Sequence, residues 1–396
     1  MNREDFKMIK DNLIYFDNGA TTLKPEVVKN AIIDYYDNYT ANAHRGDYKN
    51  SLKVDMIYDD TKEKIKEFIN AKEKSEIVFT SGTTNSLNMI VFGYFKEYLK
   101  KDDEVLITES EHASNILPWF ILQKEIGIKV KYIPLENNLV TLDNVRKSIT
   151  DKTKVISLAH ITNVIGDERP IKEISKIAHD NNILLVIDAA QSIAHTKIDV
   201  EDMDIDFLAF SGHKMYGPTG IGVLYGKFNL LNKMNPQNYG GGMNATFTKE
   251  GYIELREVPT RLEAGTPNIE GVIGLRMAII YLNNIGIENI KKHEKELKQY
   301  LLQRLKEIPN VEIYNTNEGN VLAFNIKDIF PQDTAVYLDK HNICVRAGNH
   351  CAKILNNVFN VNNTCRISFG LYNTKEEIDK LITVLKNIDN IWNEII

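Results

Sequence analysis

Ile183-Leu184-Leu185-Val186-Ile187-Asp188 and, further on, Phe207-Leu208-Ala209-Phe210-Ser211-Gly212-His213-Lys214 decide how this chain folds. Each is a short apolar run without polar alternation, closed by a polar or charged residue. Such runs read as strands buried on both faces. Working outward, similar runs stand at 77–79, 105–107, 130–133, 155–159 and 221–225, with helical stretches between them. Alternation of this kind predicts an α/β fold, with a seven-stranded, mostly parallel sheet flanked by helices.

The pattern changes after Pro267. Residues 269–285 and 287–308 read as two long helices split at Gly286, followed by shorter strands at 311–314, 321–326, 343–346 and 366–369. A closing amphipathic helix places Ile378, Leu381, Ile382, Leu385 and Ile388 on one face. This predicts a large domain over 17–268 and a smaller α+β C-terminal domain over 269–396, joined by residues 1–16.

Bulk properties narrow the function classes. With 396 residues and 43% hydrophobic content, the chain can bury one large core and a smaller one. Its net charge of -6, from 48 basic and 54 acidic residues, gives no reason to expect nucleic acid or an anionic membrane as partner. Met1-Asn2-Arg3-Glu4-Asp5 is polar, and no apolar run has the length to span a bilayer. Three cysteines argue against a disulfide framework and for a reducing cytoplasm. No Gly-x-Gly-x-x-Gly opens the first βα unit, which disfavours a nicotinamide enzyme.

Four motifs stand at or just after predicted strand ends, the edge where open α/β sheets bind ligands. Thr80-Ser81-Gly82-Thr83-Thr84 precedes a helix with Leu87, Ile90, Val91 and Tyr94 on one face, and its hydroxyls and N–H groups suit a phosphate. Asp188 ends a wholly apolar strand, where a carboxylate can hold a ring nitrogen protonated. Lys214 follows another strand end, where burial can depress its pKa and make its amine reactive. Glu111-His112 follows a third, and its imidazole can stack on a flat cofactor and relay protons. Each motif alone also fits a plain structural role: a helix cap, a turn, a solvated lysine, a loop histidine. Together they meet the three needs of pyridoxal phosphate, namely a phosphate anchor, a partner for the ring nitrogen and an amine.

At this point the chain resembles the class V aminotransferase superfamily, of pyridoxal-phosphate fold type I. Within it the match is to cysteine desulfurases of group II, the SufS/CsdA type. The resemblance rests on Phe16-Asp17-Asn18-Gly19-Ala20-Thr21-Thr22, Ala43-His44-Arg45-Gly46, Ser211-Gly212-His213-Lys214 with Tyr216-Gly217-Pro218-Thr219-Gly220, Glu263-Ala264-Gly265-Thr266-Pro267, and Arg346-Ala347-Gly348-Asn349-His350-Cys351. It implies pyridoxal 5'-phosphate carried by Lys214, with Asp188 at the pyridine nitrogen, Gln191 at the phenolic oxygen and His112 against the ring. Thr83, Thr84, Ser211 and His213 would hold the phosphate, and Thr266 would reach the phosphate of a neighbouring subunit in a homodimer. Ala20, His44, Asn163, Arg346 and Arg366 would line the substrate site, with Asn163 and Arg366 on the carboxylate; a guanidinium fork suits that task. The implied reaction takes sulfur from L-cysteine, leaves L-alanine and a persulfide on Cys351, and passes the sulfur to an acceptor of SufU or SufE type for iron–sulfur cluster assembly. Five positions depart from the family pattern: Asn349 and Ala113 stand where histidines are usual, as does Tyr48, and Lys353-Ile354 replaces a pair ending in proline.

Among the cysteines, Cys344 sits in an apolar strand and Cys365 at a strand start, so both read as packing. Cys351 lies in a polar loop, where a nearby arginine and histidine favour the thiolate. The three cysteines and His350 lack the close Cys pairs of a zinc site, so no metal is expected. The rival readings are a selenocysteine lyase acting on L-selenocysteine, another class V enzyme such as a transaminase, and a non-catalytic scaffold for cluster assembly. A transaminase has no need of Cys351.

Overall fold

The computed structural model describes residues 3–9, 12–43 and 46–392. After a short first strand, β1 (Ile14–Tyr15), the chain builds a seven-stranded sheet from β2 (Ile77–Thr80), β3 (Glu104–Ile107), β4 (Lys129–Tyr132), β5 (Thr153–Ala159), β6 (Leu184–Asp188), β7 (Phe207–Ser211) and β8 (Gly222–Gly226). The spatial order is β2-β8-β7-β6-β5-β3-β4. Strands β7, β6, β5, β3 and β4 run parallel, and β8 is antiparallel to both β7 and β2. All seven expected strands form, with slightly moved edges.

The apolar runs work because successive side chains enter opposite cores. Leu185 and Ile187 of β6 join one buried cluster and Val186 the other, as do Leu106 and Leu208 against Val105 and Phe207. Each fully buried Leu or Ile contributes about 1.5–3 kcal/mol. Strand β4 departs from the expectation of burial on both faces. It is an edge strand whose Lys129 and Lys131 are exposed, with Lys131 Nζ 2.5 Å from Glu104. Charged residues on an edge block pairing with another chain.

One hairpin went unread in the sequence: β9 (Asn244–Phe247) and β10 (Ile253–Leu255), which expose Phe247, Tyr252 and Ile253. The two long helices form as expected, as Ile269–Ile285 and Ile287–Leu305, and break at Gly286 (φ 87°). The first packs against helices Glu26–Asn38 and Lys49–Ile69 and gives Val272, Leu275, Ile279 and Leu282 to the large sheet's core. The second gives Leu297, Leu301 and Leu305 to a separate core.

That separate core lies on an antiparallel sheet of β11 (Val311–Ile313), β12 (Val321–Ile326), β14 (Arg346–Gly348) and β15 (Thr364–Ser368), in the order β11-β12-β15-β14. The expected strand at 343–346 divides in two. β13 (Ile343–Cys344) pairs with β1, and past Val345 the chain switches to β15 as β14. The closing helix Lys375–Leu385 begins in a capping box between Thr374 and Glu377, and all five residues of its expected apolar face are buried. Ile14 and Phe16 join this core, whereas Phe6 packs among Tyr216, Tyr281 and Tyr372. Among the described residues no helix is long and apolar enough to cross a membrane.

Candidate active site

The parallel strands end together, and the residues after them wall a cavity of about 200 Å³. The cavity is lined by the expected residues Ala20, Thr83, Thr84, His112, Asn163, Asp188, Gln191, Ser211, His213, Lys214, Arg346 and Arg366. His44 lies outside the described residues.

At one side of the cavity, Ser211 Oγ lies 2.8 Å from Thr83 N and 2.7 Å from Thr83 Oγ1, joining the end of β7 to the turn after β2. That contact depends on Gly222 of β8. A Cβ there would stand 2.5 Å from Gly82 Cα and 2.6 Å from the Phe210 carbonyl. Thr84 Oγ1 lies 2.7 Å from Ser114 Oγ, which ties the same turn to the loop of His112. The helix starting at Thr83 has no side-chain cap, since Gly82 occupies that position.

At the floor, Asp188 is buried and accepts one bond, from Ala190 N–H to Oδ1 at 2.9 Å. Burial raises its carboxyl to about 6, with the bond from Ala190 and nearby Lys214 pulling the other way. Burial lowers the Lys214 ammonium to about 8, opposed by Asp188 and assisted by Arg366 and Arg346. The turn of Lys214 is pinned from behind: the His213 carbonyl accepts Thr22 N at 3.0 Å and Lys24 Nζ at 2.9 Å, and Thr22 Oγ1 accepts Tyr216 N. Gln191 Nε2 donates to the Gly19 carbonyl at 2.8 Å.

His112 is held by its Nδ1, which accepts Ser114 N–H at 3.1 Å. Burial, then the charges of Lys214, Arg346 and Arg366, lower its pKa to about 3; burial and Lys214 bring His213 to about 4. Both imidazoles are therefore neutral at physiological pH. Behind His112, the fully buried Glu111 forms an ion pair with Arg169 and accepts Ala159 N–H at 2.7 Å and Asn115 Nδ2 at 2.8 Å. A buried pair needs such full hydrogen bonding to be tolerated.

Arg366 is wholly buried on β15, with Nη2 2.9 Å from Asp17 Oδ1 and Nη1 3.0 Å from the Asn163 carbonyl. Its Nε, Asn163 Oδ1 and His350 Nδ1 are buried without a partner in the structure. Buried polar atoms are normally paired, so these three exceptions, all on residues that line the cavity, set its wall apart from an ordinary core. Gly19 leaves room for this guanidinium: a Cβ there would stand 3.0 Å from Arg366 Cζ.

Cys351 does not line the cavity but stands exposed at its rim. Its Sγ is 3.8 Å from Arg346 Nη2, its N–H reaches Asn349 Oδ1 at 3.0 Å, and its carbonyl accepts Ala113 N–H at 2.7 Å. Asn349, one of the departures, thus closes the loop on itself. The help to the thiolate expected from a histidine needs correction. His350 is buried, its Nε2 lies 3.0 Å from the Thr364 carbonyl, and burial lowers it to about 3, so it carries no charge and Arg346 is left as the nearby cation. His350 also lines the cavity, a place the sequence reading did not give it. Cys365 is buried with its thiol pushed up to about 12, and Cys344 is partly buried with its pKa raised by burial, consistent with packing. Thr266 is exposed and stands apart from its own chain's cavity, 3.5 Å from Asn42 Nδ2.

Comparison with known proteins fits this geometry. A probable cysteine desulfurase of Halalkalibacterium halodurans is 43% identical over 385 residues, covering 97% of this chain and 95% of that protein. One of Staphylococcus epidermidis is 42% identical, covering 98% and 94%. Among solved structures, the apo cysteine desulfurase of Thermococcus onnurineus superposes with a TM-score of 0.94 at 37% identity, covering 98% of this chain and 96% of that one. The cysteine desulfurase CsdA of Escherichia coli, in an S-sulfonic acid form, gives 0.92 at 34%, covering 100% and 98%. The family model for aminotransferase class V matches residues 14–381, and the chain belongs to that family.

Proposed function

We propose that this protein is a cysteine desulfurase of the SufS type, which takes sulfur from L-cysteine and yields L-alanine and a persulfide on Cys351. The observation that carries the reading is Arg346, which lines the cavity of Lys214 and Asp188 and also reaches the Cys351 thiol at the rim. The cavity's groups fit pyridoxal 5'-phosphate: a buried carboxylate with a single hydrogen bond, hydroxyls around an uncapped helix start, and a buried lysine with depressed pKa.

When bound, pyridoxal phosphate supplies an aldehyde that reacts with amines and a ring that draws electrons from Cα of the amino acid. Thr83, Thr84, Ser211 and His213 would hold its phosphate, Asp188 would pair with the ring nitrogen and favour its protonated form, and Gln191 and His112 would complete the set of residues that hold the ring. Arg366 and Asn163 bind the substrate carboxylate, beside Ala20 and Arg346; a role for His44 in this pocket rests on the family resemblance alone. Lys214, with its amine readily neutral, takes the proton from Cα. The Cys351 thiolate attacks the substrate sulfur; an S–S bond forms as the Cβ–S bond breaks, and Cβ gains a proton on the way to alanine. Thr266 completes the phosphate site of a second subunit, which makes the protein a homodimer. The persulfide passes in the cytoplasm to an acceptor protein of SufU or SufE type, for iron–sulfur cluster assembly.

The two domains are proposed with one amendment. Packing of Ile269–Ile285 on the large sheet's core favours a boundary after Gly286 rather than at 268. The test of function is alanine release from L-cysteine by the purified yellow protein, with and without candidate acceptors; no alanine in either case rejects the reading.

A further inference from the structure

Glu263 makes an unusually complete set of contacts for a residue outside the cavity. Its Oε1 accepts Phe79 N–H at 2.7 Å and Lys62 Nζ at 2.8 Å, and its Oε2 accepts the Tyr58 hydroxyl at 3.0 Å. The carboxylate and the Lys62 ammonium are both about nine-tenths hidden, with side-chain exposures of 11% and 9%. Strand β2 is the edge of the large sheet, so Phe79 N–H has no neighbouring strand to meet, and Glu263 takes that strand's place. The rings of Phe79 and Tyr58 meet edge-on at 4.9 Å beside the pair, whose other side borders a separate cavity of about 620 Å³.

Two segments leave this knot. Along β2, Phe79 leads directly into Thr80-Ser81-Gly82-Thr83, the turn held against Ser211. Along its own loop, Glu263 leads to Gly265 (φ 90°), whose N–H binds the Gly241 carbonyl at 2.8 Å, and then to the exposed Thr266. The two segments face different ways: Thr83 lines this chain's cavity and Thr266 does not.

We infer that Glu263 is a positioning residue for two cofactor sites at once, fixing through Phe79 the phosphate turn of its own subunit and through its loop the Thr266 hydroxyl offered to the other. The inference rests on the proposed homodimer with shared sites. One carboxylate then couples the two phosphate cradles, and loss of its charge loosens both.

Hybrid dimers separate the two effects. A dimer of one Lys214→Ala subunit and one subunit with Lys214 intact has a single site that takes on the visible absorbance of bound cofactor. Titration of that absorbance measures affinity without turnover. Glu263→Gln is placed first in the reporting subunit alone, then in its partner alone. Each placement is expected to weaken pyridoxal phosphate binding about fivefold, as is Thr266→Val in the partner alone. An effect confined to the reporting subunit, or no effect from either placement, overturns the inference while the dimer reading stands. A silent Thr266→Val control overturns the shared site and the inference with it. Should Glu263→Gln not fold, Tyr58→Phe removes the Oε2 contact and keeps the carboxylate, and is expected to give the same two-sided pattern at about twofold.

Discussion

The backbone carbonyl of Cys351 accepts a hydrogen bond from the amide of Ala113 at 2.7 Å, so the loop bearing the thiol is stitched to the residue after His112. Ala113 opens a 3-10 turn after His112, whose φ of -67° and ψ of 148° already suit a following proline. Ala113→Pro therefore removes the N–H donor and little else. Single-turnover persulfide formation on Cys351 should slow about three- to tenfold while the visible spectrum of bound cofactor is unchanged. An unaltered rate would show that this stitch does not place the thiol.

Lys214 and Cys351 should separate cleanly by spectrum and product. Lys214→Ala should lose the visible absorbance of covalently held cofactor. Cys351→Ser should keep it and release no alanine from L-cysteine. Normal desulfuration by Cys351→Ser would move the acceptor role to another residue.

Gly222→Ala probes the close approach of β8 to the turn at Gly82. With 2.5 Å available to the new Cβ, the turn must shift away from Ser211. Expected outcomes are a loss of about 1–3 kcal/mol in urea unfolding and a clear drop in cofactor affinity.

Lys298 tests the cost of a buried ammonium far from the chemistry. It is 1% exposed, and burial lowers it from 10.5 to about 7. Between those values the unfolded chain binds a proton that the folded protein lacks, so this group makes stability rise with pH across the window. Lys298→Met should be more stable than the unsubstituted protein near pH 7, with the advantage shrinking by about pH 9. Urea midpoints at the two pH values check it, and an advantage that does not shrink would contradict the burial argument.

Much of this was legible because the sheet's strands carry apolar side chains on both faces, and few other structures tolerate such runs. Asp188, Ser211 and Lys214 could be placed because each directly ends a run. The edge position of β4 was also on the page, in the alternation Lys129-Val130-Lys131-Tyr132, but the apolar residues drew the reading. The hairpin of β9 and β10 was hidden by its polarity, although Thr246-Phe247-Thr248 and Tyr252-Ile253 around Gly251 carry a turn signal. The charge of His350 could not be read, because it depends on burial against Thr364 and on two arginines, contacts that no local pattern records. The same holds for Arg169 behind His112, 58 positions from Glu111.

Arg366 is gripped by Asp17 and lies flat over Gly19, which joins nearly the two ends of the chain at the proposed carboxylate anchor. The strands and turn that carry Asp188, Ser211 and Lys214 are all made before this anchor, which comes from the last strand of the second sheet. Only when the last strand emerges does the early loop find its guanidinium. On the proposed reading, a chain that stops short of β15 lacks the guanidinium that grips the amino acid, whatever the state of the cofactor half.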